Sequence, residues 1–137
     1  LSQSALLAAA MGSLPLRLAN YGPAQVGPAL TVEVLNADLR FVREALLLGH
    51  SRSLALTGSE WVVNGLMGNA LQQALALGLY PDRLGQHQIF INQHAAPDNP
   101  FALPRPQAAI VVGLGDEGEL QPSLLAAAVR QAVLAYR

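Results

Sequence analysis

Between Ala108 and Arg137 apolar positions first run unbroken and then recur every three or four residues. Ala109-Ile110-Val111-Val112 has no polar alternation, the pattern of a strand buried on both faces. Leu124, Leu125, Ala128, Val129, Ala132, Val133 and Tyr136 then share one face of a helix. Pro122 suits the first turn of that helix, where the missing N–H costs nothing, and Gln121 or Ser123 stands at the cap. The unit reads as strand, glycine turn, helix.

Upstream the period changes several times. Leu1 to Leu14 is helix-prone and stops at Gly12 and Pro15, and residues 15 to 29 are rich in glycine and proline, so residues 1–29 read as an N-terminal helix and linker. Leu30 to Leu35 alternates Val32 and Val34 with Thr31 and Glu33, predicting a half-buried strand. Asn36-Ala37-Asp38 is turn chemistry, with extended structure expected to resume over Leu39 to Val42. Ala45 to Leu48 predicts a short buried strand closed by Gly49-His50-Ser51.

A capping box of Thr57 and Glu60 predicts one long helix ending at Gly78 and Pro81. Trp61 is expected to anchor it against a sheet, and Gly65 and Gly68 inside it imply close backbone approach. Gln86 to Asn92 alternates again and predicts a strand, and residues 93 to 107 hold four prolines and no period, predicting a loop. The uneven alternation of strands and helices gives an α/β fold over 30–137: a mixed, mostly parallel sheet flanked by helices.

Composition then bounds the function. Only 12% of the 137 residues are charged and 52% are hydrophobic, against about a quarter charged in typical domains. That surface predicts self-association or packing against another domain of a parent protein. The net charge is −1 and the eight basic residues, all Arg, are scattered, so no phosphate-backbone footprint for nucleic acid forms. No Lys is present, which excludes a Schiff base and a phosphate-loop lysine, and no Cys is present, which excludes a disulfide or a thiolate nucleophile. No apolar run approaches the roughly 18 residues that cross a bilayer, and no basic residue precedes the apolar stretch near the start, so a cytoplasmic setting without a signal peptide is expected. The chain begins at Leu1 and not at Met, which reads as an excised fragment or a processed chain.

Few residues carry chemistry. Gly113-Leu114-Gly115-Asp116-Glu117-Gly118 follows a strand and precedes a helix, the place where ligands gather in open α/β sheets and where helix N-termini attract anions. Asp116, Glu117 and Glu119 oppose a pyrophosphate there, and a tight turn carrying solvated acids is the plainer reading. Gly49-His50-Ser51-Arg52-Ser53 approaches a nucleophile elbow with Ser51 at its centre, but Ser53 replaces the final glycine. His50 is expected to bond a loop carbonyl. His87, His94 and Asp98 lack a recognised metal-ligand spacing, so no metal or other cofactor is expected.

The strand ending in Val112-Gly113-Leu114-Gly115, the Glu119-Leu120-Gln121-Pro122 cap and the helix after it resemble the end of the macro-like N-terminal domain of M17 leucyl aminopeptidases. The segments LNADLRF, LLLGHS and LTGSEWVVNGLMGNALQQALALGLYPDRLGQHQIFI are similar to a bacterial version of that domain found in multidomain proteins with a caspase-like CHAT peptidase region. The resemblance covers roughly residues 30 to 137. It implies a macro-like three-layer α/β/α fold and a noncatalytic module for assembly or regulation, whose partners are neighbouring domains or further copies. The aminopeptidase metal ligands and lysine have no counterpart here. It also implies, as the alternative, binding of ADP-ribose or another nucleotide, with Asp38 in the place of an adenine-contacting aspartate and Gly113, Gly115 and Gly118 in that of a phosphate loop.

Overall fold

A computed structural model of the chain describes residues 29–94, 99 and 101–137. The expected N-terminal helix and nearly all of its linker lie outside the described residues, as does Asp98. The chain divides into two compact units, Leu1–Asn36 and Ala37–Arg137, so the break falls at 36/37. In the first unit, residues 29–36 have no regular structure, with Leu30 89% and Val34 63% exposed. The strand expected over Leu30 to Leu35 is therefore not formed: alternation prepares a chain for a ladder, but a strand exists only with a partner.

The second unit is built on a three-stranded mixed sheet. Its strands are β1 (Leu46–Ser51), β2 (His87–Ile91) and β3 (Ala108–Gly115), in the order β1-β3-β2. β1 runs parallel to β3, pairing Leu46 with Ala109 and His50 with Gly113, whereas β2 is antiparallel to it, pairing His87 with Val112 and Ile91 with Ala108. The sheet is mixed as expected, but with one pair of each kind it is not mostly parallel. β3 occupies the centre, and Ala108 to Gly113 are buried in unbroken succession, which is why its sequence shows no alternation.

Successive β3 residues go to different apolar clusters. Ala109 and Val111 pack with Val63, Met67, Leu71 and Ala74, while Ile110 and Val112 pack with Ala128 and Ala132. In the first set Val63 comes from α1 (Ser59–Leu66), Met67 from the cap that ends it, and Leu71 and Ala74 from α2 (Ala70–Ala76); the second set comes from α3 (Pro122–Tyr136). Burying Leu71 completely contributes about 2 kcal/mol.

The single long helix expected between the Thr57/Glu60 capping box and Gly78 is two helices. Gly68 (φ 62°) and Asn69 (φ 65°) are both left-handed, which no continuous α-helix accommodates. Asn64 knits the break together: its Nδ2 donates to Asn69 Oδ1 at 3.2 Å, and its Oδ1 accepts from Gln72 N at 2.8 Å, serving as cap for α2. Gly68 is thus a break, with His94 close beside it, and a side chain at Gly65 would meet open space. Trp61 does not anchor α1, being 60% exposed. Leu39–Phe41 forms a 3₁₀ turn, not extended chain, because Asp38 Oδ1 accepts from Arg40 N at 2.9 Å and caps it.

α3 begins at Pro122 as predicted, and its Gln121 cap makes no side-chain bond. The sheet is approached by Ala128 and Ala132, whose small side chains let the backbone come close. Val133, placed by its spacing on the apolar face, is 52% exposed.

Candidate functional site

The principal buried polar cluster joins three elements. β1 delivers His50, the first turn of α1 delivers Glu60, and the segment after α2 delivers Tyr80. His50 Nδ1 lies 2.9 Å from Glu60 Oε1 and 3.1 Å from Oε2. The Tyr80 hydroxyl donates to Glu60 Oε1 at 2.8 Å. His50 is 2% exposed and Glu60 and Tyr80 are 6% exposed, so the carboxylate sits away from water with both oxygens engaged. Tyr80 also meets the imidazole edge-on, with ring centroids 4.7 Å apart.

His50 Nε2 lies 3.3 Å from the Ser53 carbonyl oxygen, the loop contact expected for it. Each ring nitrogen therefore faces an acceptor, and both contacts are donations only when the ring carries two protons. Burial, the bond to Glu60 and the negative charge of Glu60 push the Tyr80 hydroxyl well above the ordinary tyrosine range.

The sequence pattern assigned Glu60 to a capping box. In the structure Gly58 takes the cap position without a side-chain bond, and Glu60 turns inward to His50 and Tyr80. A carboxylate one residue before an apolar helix face fits either arrangement, and only the fold brings Tyr80 within reach.

The carboxyl end of β3 is closed by the chain itself. Gly113 N donates to Gln86 O at 2.9 Å and Gly115 N to Asp82 O at 2.8 Å. The Arg83 backbone lies so near Gly113 that an added Cβ would fall 2.1 Å from its carbonyl oxygen. Both amides are thus already satisfied by the 82–86 loop. Gly118 forms the turn after them at φ 86°. Arg52 approaches the acidic loop, with Nη1 3.4 Å from Asp116 Oδ1 and Nε 3.8 Å from Asp82 Oδ2, a tie that sequence order conceals.

Asp38 has a separate set of partners. Its carboxylate accepts from Arg40 Nε and Nη2 as well as from Arg40 N, and the side-chain bond foremost, then the backbone bond, lowers it to about 2. Among the described residues its hydrogen bonds and ion pair go to Arg40, and none joins it to Gly113, Gly115 or Gly118. Ser51 ends β1, but both nitrogens of the adjacent His50 are committed elsewhere, leaving neither to activate its hydroxyl.

His87 lies on β2, and His94 follows it in the loop, with its N–H bonded to Asn92 Oδ1 at 2.9 Å. No group of three or more potential metal ligands occurs among the described residues. Buried Asn92 closes the base of the proline-rich excursion by donating to Pro106 O at 2.8 Å and Leu66 O at 3.3 Å.

The functional geometry thus consists of a sealed polar triad and an open surface. Leu54, Trp61, Leu79 and Leu134 are each more than half exposed. No helix among the described residues is long and apolar enough to cross a membrane. No protein-family model, curated protein or solved structure matches the chain.

Proposed function

We propose that this chain is a noncatalytic, macro-like three-layer α/β/α module that mediates assembly or regulation within a larger bacterial multidomain protein of the kind carrying a CHAT peptidase region. The observation that carries this reading is the apolar surface on its helices: Trp61 and Val62 on α1 and Val133 and Leu134 on α3 are 60%, 39%, 52% and 57% exposed. Sparse charge, at 12% of residues, leaves little polar surface to offset them. The His50–Glu60–Tyr80 triad fits the same reading as an internal brace, since none of its members opens to a substrate.

The test is thermal melting with millimolar ADP-ribose. A binding site would raise the transition by about 2.7 kcal/mol of stabilisation at 100 times the dissociation constant. An unchanged midpoint is expected. A clear rise would transfer the function to nucleotide binding.

A further inference from the structure

Three of the eight arginines gather at the end of the sheet opposite the glycine turn, where β1 and β3 begin and β2 ends. Two cavities lie there, of about 430 and 310 Å³, and Leu103, Pro104 and Arg105 line both. Arg40, Phe41 and His94 also line the first, and Arg43, Asn92 and Gln107 the second. Among the described residues no Asp or Glu lines either cavity, in a chain whose net charge is −1. Arg40 is committed to Asp38. Arg43 and Arg105 make no ion pair among the described residues, and Glu44 turns its carboxylate to the Arg43 backbone N–H at 3.2 Å.

The frame around these two arginines is held by main chain. Gln107 N donates to Arg43 O at 3.0 Å, Asn92 N donates to Gln107 O at 3.0 Å, and the buried Asn92 side chain donates to Pro106 O at 2.8 Å. The segments that carry Arg43 and Arg105 are therefore tied together before any ligand arrives, which lowers the cost of ordering them.

We propose that this cleft binds a compact molecule with a terminal oxyanion, a carboxylate or a phosphate monoester, on an apolar body. A guanidinium meets such a head with two parallel hydrogen bonds. Exposed Phe41 and Leu103, with Pro104 beside them, offer the body apolar contact. Both volumes fall near the low end of the roughly 300–1,000 Å³ of small-molecule sites, which favours a small ligand. ADP-ribose carries its charge in mid-molecule and does not fit this description, and the site is independent of the assembly reading.

The test is calorimetric and NMR titration of the full chain at low salt with benzoate, phenyl phosphate, uncharged benzamide and inorganic phosphate. Benzoate or phenyl phosphate should saturate the chain and shift the amides of residues 103, 105 and 107, and the tighter of the two identifies the head. Arg43→Gln and Arg105→Gln should each weaken that binding by about tenfold or more with the circular dichroism spectrum retained, whereas Arg130→Gln, on the exposed face of α3, should leave it unchanged. Equal binding of benzamide would overturn the proposal in favour of apolar contact alone. Inorganic phosphate binding as tightly as phenyl phosphate would reduce it to an adventitious ion only. Binding that survives both arginine substitutions, or no saturation by either aromatic anion, would also overturn it, and none of these results bears on assembly.

Discussion

His50 Nδ1 stands 2.9 Å from Glu60 Oε1, tying the carboxyl end of β1 to the first turn of α1 inside a space closed to water. Glu60→Ala would leave the imidazole and the Tyr80 hydroxyl without their partner. Removing one member of a buried pair costs roughly 3 kcal/mol, so the urea midpoint should fall sharply with the slope unchanged. A loss below about 0.5 kcal/mol, the level of an ordinary surface change, would contradict the bracing role.

Tyr80→Phe removes the hydroxyl that donates to Glu60 at 2.8 Å and should cost about 2 kcal/mol, the value of a hydrogen bond to a charged group. The phenol also sets an alkaline limit. Its folded pKa lies above its unfolded value of about 10, so its contribution is complete below that pH and is lost progressively as pH rises beyond it. Alkaline denaturation of the wild-type chain should therefore begin above about pH 10, and Tyr80→Phe should flatten that limb.

Gly113 and Gly65 make opposite predictions for the same substitution. Gly113→Ala would drive a methyl group to 2.1 Å from the Arg83 carbonyl oxygen and should destabilise strongly or prevent folding. Gly65→Ala enters open space near the end of α1 and should stabilise by about 0.5–1 kcal/mol through better helix propensity. Thermal denaturation of both variants checks the closure of the β3 end by the 82–86 loop.

The exposed Asp38–Arg40 pair is a local titration marker. Arg40 holds the Asp38 carboxyl at about 2, and Arg40→Ala should return it towards 3.8. Because the folded value is depressed, the stability it contributes is present above the unfolded value and is lost as pH falls through about 2. The pair is solvated, so acid unfolding should barely change in the variant, while carbon NMR of the carboxyl shows the shift.

Much of the framework was legible because its signals are local. The unbroken run at Ala109 to Val112 announced a central strand, and Pro122 marked the start of α3 to the residue. The break between α1 and α2 was hidden because Gly68 and Asn69 sit inside an unbroken apolar period, and the period continues across a kink that Asn64 stabilises from five residues away. Glu60 was read as a cap because capping is a local rule, whereas its actual partners lie 10 residues upstream and 20 downstream. For the glycine turn, spacing showed a loop at a strand end but not that the Asp82 to Gln86 backbone already fills it.

The most direct test of the account is the mass of the intact chain in solution, followed by light scattering across a concentration series with and without ADP-ribose. A mass that rises from 14.4 kDa to twice that value, indifferent to nucleotide, is predicted. A 14.4 kDa species at every concentration that responds only to the nucleotide would contradict an assembly module and make this chain a ligand-binding domain.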